Sequence, residues 1–315
     1  MATGYRIRRH TDSGNGRIGY AAGSLITVLD DLLTVGGNNW SKTVNATNDV
    51  TYQAPAGSQV KLRVYDTTSG ATTFPVRLTG QVGSGTVFPT ATQESVSSQG
   101  YATVRKRENT NTGTGYDPGY IGIRTDRFML LLRTLSTSFT FGGGIFMAGD
   151  LPTYVGTDPG LCAVLGSCGS NSLTNTNYAN ENSFPSAFQS LYATSTGLDG
   201  YANVGHDGVT AAVPLFVRQI LPNGGLGTVA NSLSKLTLGP LMVYTSNTTT
   251  QYNLSTTSML RGRVPFVYTI AESGGAAAGD TFTDGNGASY EVVTVNNGTQ
   301  RLCALMTSDS ETGLP

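Results

Sequence analysis

Apolar and polar residues alternate with a period of two along many short stretches of this chain. Val60, Leu62 and Val64 alternate with Lys61, Arg63 and Tyr65, which places an apolar row on one face of a strand and cations on the other. Pro55-Ala56-Gly57 before it and residues 66–70 after it supply turn chemistry, and Val76-Arg77-Leu78 reads as the returning strand. Residues 101–106 and 121–124 read as further strands. Residues 128–132 (Phe-Met-Leu-Leu-Leu) are uniformly apolar, the pattern of a strand covered on both faces. Phe139-Thr140-Phe141 and Ile145-Phe146-Met147 flank Gly142-Gly143-Gly144 as in a hairpin. Later strands are expected at residues 215–217, 241–244, 264–270, 290–295 and 302–306.

Helical periodicity is scarce. Leu25, Ile26, Leu29, Leu32 and Leu33 share one helical face, with Ser24 as the expected cap and Gly36-Gly37 as the stop. Asp30 and Asp31 would then be solvated. A second short helix is expected from Pro89-Thr90, fading before Gly100. Residues 109–118 and 167–182, rich in Asn, Thr and Gly, read as long surface loops, either contact arms that order against a neighbour or mobile tips. The predicted class is mainly β: antiparallel sandwich- or barrel-like domains with long loops and one or two short helices. A division into an N-terminal β-domain, residues 1–165 with the short helix near 24–35, and a C-terminal β-rich domain, residues 166–315, is expected. A single composite domain remains the alternative. No internal repeat is visible.

Composition narrows the function. Of 315 residues 41 are Gly, only 12% are charged and the net charge is −1, yet 38% are apolar. Such a chain has a core but no sustained basic patch, so no nucleic-acid partner is expected. Its near-neutral surface resists self-association poorly. The first residues lack the apolar stretch of a secretory signal, and no run approaches the roughly 20 apolar residues of a membrane helix. Synthesis in a cytoplasm without export by the usual route, and no membrane partner, are the expectations.

Candidate chemistry is sparse. Cys162 and Cys168 lie six apart without a second zinc pair. They read as buried thiols, like Cys303, or as a disulfide formed in an oxidising medium. His206, in Gly205-His206-Asp207-Gly208, reads as a turn residue, and no nucleophile elbow accompanies it. Asp280, Asp284 and Asn286, spaced by glycines, form a weak Ca²⁺ candidate but read mainly as a hairpin turn. Gly142-Gly143-Gly144 lacks the Lys-Ser/Thr of a phosphate loop. Asp30, Asp31, Asp126, Asp150, Asp158 and Asp207 form no recognisable catalytic pair. No catalytic residue and no cofactor are expected. Two cationic segments, Tyr5, Arg6, Arg8 and Arg9 near His10 and the run Arg105, Lys106 and Arg107, are candidate assembly contacts, as are Asn171, Asn175 and Asn177 of the second loop.

Several stretches together resemble a family of tailed-phage virion structural proteins. Trp40-Ser41-Lys42 is similar to its Trp-Thr-Lys, followed by a Val-Thr-Tyr-Gln strand at Val50 to Gln53. Leu62-Arg63-Val64-Tyr65-Asp66 is similar to its Leu-Arg-Val-x-Asp strand. Residues 88–93 resemble its Phe-Pro-Thr-Ala-x-Gln element, which precedes the strand at Tyr101 to Lys106. Residues 260–265 and 279–282 resemble its Leu-Arg-Gly-x-Leu-Pro and Gly-Asp-Thr-Phe segments. The family's Tyr-Glu-x-Met-Ser-Asp stretch is replaced here by residues 78–83, and its Phe-Gly-Asp by Ala148-Gly149-Asp150. The resemblance implies a non-enzymatic virion component, in the tail or head–tail region, whose partners are copies of itself and other virion proteins. Capsid decoration and a host-surface binding module for carbohydrate or receptor are the alternatives. Trp40, the sole tryptophan, is expected to pack in the core rather than stack on a sugar.

Overall fold

In the computed structural model the described residues are 4–12, 14, 18, 21–55, 61–66, 75–81, 101–105, 119–134, 144–154, 163–168, 198–204, 210–219, 238–245, 259–270, 276–296 and 300–308. They form a mainly β, antiparallel, sandwich-like fold with one described helix, α1 (Ser24–Leu33). Two sheets can be traced from the pairing.

The first is a five-stranded meander of β2 (Ser41–Ala46), β3 (Asp49–Gln53), β4 (Lys61–Tyr65), β5 (Pro75–Gln81) and β6 (Tyr101–Arg105). The expected alternation holds in β4: Leu62 and Val64 are buried, while Lys61 and Arg63 are partly exposed. The expected return strand is β5, antiparallel to β4.

The second sheet starts with β1 (Arg6–Arg9), which pairs with β7 (Gly119–Arg124). It continues as a meander through β8 (Phe128–Thr134), β9 (Gly144–Gly149), β10 (Ala163–Cys168), β11 (Leu198–Val204), β12 (Thr210–Gln219), β13 (Leu238–Thr245) and β14 (Met259–Ile270). β17 (Gln300–Met306) then lies beside β14, followed by β16 (Ser289–Asn296) and the short edge strand β15 (Thr281–Thr283). A single pairing, Ser167 with Thr103, links the two sheets. The position near residue 165, where a domain division was expected, falls inside β10, which pairs with strands on both sides.

Two apolar clusters hold these layers. One gathers Ile123, Leu130, Val217, Val243, Phe266, Val292 and Leu305, so residues from both halves of the chain share one core. The other packs α1 and Trp40 against Tyr52, Leu62 and Val64 of the meander and against Tyr120, Met129, Leu131 and Phe146. β8 therefore sends alternate side chains into both clusters, as its uninterrupted apolar run predicts. Burial of Leu25, Ile26, Val28, Leu29, Leu32 and Leu33 stabilises α1, because a ten-residue helix is marginal by itself.

The helix begins differently from the sequence-based expectation. Ser24 is its first residue, not its cap. Gly23 occupies the cap position with φ 83°, and a Cβ there would lie 2.6 Å from Asn48 Oδ1. The capping carboxylate is Asp66, at the end of β4 and fully buried, whose Oδ2 accepts from the Leu25 amide at 2.9 Å. Its carbonyl accepts from the Gly23 amide at 3.0 Å. The helix ends at Leu33, with Thr34 closing onto the Asp30 carbonyl at 3.0 Å, before the expected glycines.

Strand β14 bends at its middle. Between its pairings with β13 at Pro240–Tyr268 and Met242–Arg263 it carries extra residues, and Phe266 there has φ 63°. The bulge turns Phe266 inward, against Tyr5 at 5.5 Å and Phe128 at 5.7 Å. The expected second helix, Phe139 to Phe141 and most of the two long loops lie outside the described residues.

Candidate functional site

The predicted N-terminal contact residues converge on one junction. β1 runs antiparallel to β7, with Arg6 opposite Arg124 and Arg8 opposite Gly122, and lies beside α1. Arg6 Nη2 reaches Asp31 Oδ1 at 2.9 Å and its Nε donates to the Asp31 carbonyl at 3.1 Å. Arg8 Nε sits 3.0 Å from Asp31 Oδ2, and its Nη1 is 4.0 Å from Asp12. Arg9 Nη2 reaches Glu291 Oε2 at 2.6 Å. Tyr5 packs its ring on Phe266. Arg6, Arg8 and Arg9 thus meet carboxylates of the same chain.

The neighbouring carboxylates are also engaged. Asp30 and Asp31 were expected to be solvated, and this needs correction. Asp30 accepts from Lys42 Nζ at 2.7 Å and from the Tyr52 hydroxyl at 2.8 Å, and Asp31 takes Arg6 and Arg8. Strand order brings cations to the helix face that local periodicity assigns to water. Burial, then the Asp30 charge and hydrogen bond, push the Tyr52 hydroxyl pKa up. Tyr120, buried in β7, is pushed up to about 12 by burial and by the Asp31 and Asp12 charges, with Arg8 opposing. His10 faces Tyr120, its Nδ1 accepting from the Tyr120 amide at 3.2 Å.

Arg124 completes the junction from inside. It is 1% exposed, and three backbone carbonyls accept from its guanidinium: Gly4 at 3.1 Å, Leu33 at 3.0 Å and Gly37 at 3.1 Å. Leu33 is the last residue of α1, so the cation also meets the negative end of the helix. Burial and the nearby Arg6 pull its pKa down. Trp40 lies in the core as expected, its Nε1 donating to the Thr125 carbonyl at 2.8 Å.

The 280–288 hairpin uses its oxygens internally. Asp284 Oδ1 accepts from the amides of Asn286 at 2.8 Å and Ala288 at 2.9 Å, and Oδ2 accepts from the Tyr290 hydroxyl at 3.1 Å. Desolvation by itself would raise its carboxyl pKa, but these bonds together outweigh it and hold the value below the ordinary range. Asp280 Oδ2 accepts from the Ala277 amide at 2.7 Å. This is the hairpin-turn arrangement. Among the described residues no three His, Cys, Asp or Glu side chains gather as metal ligands.

Elsewhere, Arg105 ends β6, while Lys106, Arg107, Asn171, Asn175, Asn177, His206 and Cys162 lie outside the described residues. Cys168 ends β10. Cys303 is a buried free thiol, and burial pushes its pKa up. Among the described residues no helix is long and apolar enough to cross a membrane.

Periodicity missed one surface. All six residues of β2 are exposed, although β3 beside it is largely buried. Val44, at 67%, is the most exposed large hydrophobic among the described residues. Ser-Lys-Thr-Val-Asn-Ala has no two-residue apolar alternation, and only the turn residues Thr47-Asn48 signal a hairpin. Asp49 anchors its far end. Burial alone would raise this carboxyl, but bonds from Arg63 (Nε to Oδ1, 2.8 Å) and Asn45 hold it low.

No protein-family model matches the chain, and a search of curated proteins finds no match.

Proposed function

We propose that this protein is a non-enzymatic structural component of a tailed-phage virion, placed in the tail or head–tail region within a symmetric assembly. The carrying observation is where the family-like segments lie. Trp40, Tyr52, Leu62, Val64 and Asp66, all from those segments, are fully buried and tie α1 to the first meander. Arg261 and Arg263 of the residue 260–265 segment are also buried, beside the β14 bulge. Part of the resemblance thus falls on the framework, where buried positions tolerate few replacements, while Ser41, Lys42, Leu260 and Gly279 to Phe282 of the same segments are exposed or partly exposed.

The ion pairs support a passive role. Arg6, Arg8 and Arg9 are spent on Asp31 and Glu291, and Asp284 on its own turn. Burial of Trp40 argues against the carbohydrate-binding alternative, since that ring is withdrawn from any ligand. Mass spectrometry of purified particles and a reconstruction of the intact virion test the reading. Density for this fold repeated around the tail or neck is the expected result. Its absence from mature particles overturns the proposal, and density on the capsid lattice replaces it with decoration.

A further inference from the structure

We infer that β1 is a latch: residues 5–10 open as one unit ahead of either core, and two carboxylates on opposite faces of the strand, Asp31 of α1 and Glu291 of β16, hold it shut. Backbone pairing lays β1 along β7, from Arg6 opposite Arg124 to Arg9 opposite Ile121. Successive side chains of a strand point to opposite faces. Arg6 and Arg8 reach Asp31 on one face, and Arg9 reaches Glu291 on the other. Ile7 shares the Arg9 face and, with Tyr5, packs against the cluster that contains Phe266. One short strand therefore bridges the helix and the far end of the long sheet.

Ion pairs supply much of its hold. Every residue from Gly4 to His10 is partly exposed, whereas all six residues of β7 beneath are buried. Half-buried Tyr5 and Ile7 bring less apolar burial than the fully covered Leu130 and Leu131 of β8. The cations also oppose one another. Arg6 lies directly opposite Arg124, and a Cβ on Gly36 would lie 3.7 Å from a guanidinium nitrogen of each. Like charges so placed repel. Asp31 and Glu291 thus serve three arginines beside a fourth, and loss of either carboxylate leaves excess positive charge around the strand. Asp12 also accepts, from the Arg9 amide at 2.8 Å, but it sits in the turn that follows β1 and travels with it.

Segments that bury few apolar contacts open below the free energy of global unfolding. The two clasps grip opposite faces of the same few residues, so loosening either frees the whole strand. Opening bares the β7 edge and one face of Phe266.

Hydrogen exchange of the full chain, resolved by residue, tests the latch. In wild type, β1 amides are expected to exchange at least about tenfold faster than those of Leu130 and Leu131, and to stay insensitive to low urea that accelerates exchange through global unfolding. Glu291→Gln removes the partner of Arg9, yet is expected to speed exchange about fivefold from Arg6 through His10, whose amide donates to the Tyr120 carbonyl at 3.1 Å. Asp31→Asn is expected to speed the same residues about tenfold. Lys42→Gln breaks an ion pair to Asp30 on the same helix and is expected to leave β1 unchanged. A rise confined to Arg9 and His10 in Glu291→Gln overturns the inference, because the strand then frays locally. So does a wild-type β1 that exchanges as slowly as β8 with the same urea dependence, a measurement that needs no variant to fold.

Discussion

Arg9 and Glu291, 282 residues apart in the chain, meet with Nη2 and Oε2 at 2.6 Å. Arg9 lies on β1, one end of the long sheet, and Glu291 on β16 near the other, so this bond draws the two ends together. Both side chains keep partial contact with water, which screens the pair. Glu291→Gln is expected to lower stability by about 1 kcal/mol. A double-mutant cycle with Arg9→Met, followed by urea unfolding, measures the coupling. Strict additivity of the two changes would show that the bond contributes nothing.

The remote cap on α1 makes a second expectation. Asp66→Ala removes the acceptor for the Leu25 amide and leaves that donor buried, at a cost of about 2 kcal/mol. Asp66→Asn retains an oxygen and is expected to lose less than half of that. Chemical denaturation of both variants compares them, and equal losses would point to charge as the dominant contribution.

Arg124 holds the N-terminal segment, the end of α1 and the following loop by three carbonyls. Lysine cannot present donors in the same planar fork. Arg124→Lys is therefore expected to cost about 3 kcal/mol and to raise amide hydrogen exchange around Gly4 and Gly37 first. Unchanged exchange at those sites would contradict the role.

Gly262 sits where β14 meets the segment after β9. A Cβ there would lie 2.0 Å from the Pro152 carbonyl oxygen, and the Arg263 amide donates to that same oxygen at 3.1 Å. Backbone must move to admit even a methyl group. Gly262→Ala is expected to lower stability by about 3 kcal/mol, read as a fall in thermal midpoint.

Tyr120 contributes to the alkaline limb of stability, alongside the Tyr52 hydroxyl and the Cys303 thiol, whose pKa values burial also pushes up. Its folded pKa is pushed up to about 12 from the ordinary 10, so the native state holds this proton longer than the unfolded chain. The stabilisation is complete below pH 10 and is lost as pH rises through 12. Tyr120→Phe is expected to flatten this decline by about 1–2 kcal/mol while leaving the neutral-pH slope unchanged. Urea midpoints measured across the alkaline range for both proteins decide it.

How much of this was legible beforehand varies by element. The strands at Leu62, Leu130, Val243 and Val292 follow from local alternation or apolar runs, and α1 from its helical spacing. β2 escaped because an exposed edge packs nothing, so its side chains carry no period. Ser24 looked like a cap because serine often is one, but a carboxylate brought by β4 serves that amide. Nothing local links residue 9 to residue 291, so the sequence marks the cationic N-terminal segment only as a candidate assembly contact and does not reveal the carboxylates that Arg6, Arg8 and Arg9 meet within the chain.

Sequence alone determines that this chain is β-rich, which face of β4 turns inward, and that β8 is covered on both sides, because the burial of alternating side chains is a short-range pattern. Tertiary structure alone decides which charges meet, which carboxylate caps the helix and which edge stays open. Those outcomes depend on strand order, and strand order brings together residues that no local period connects.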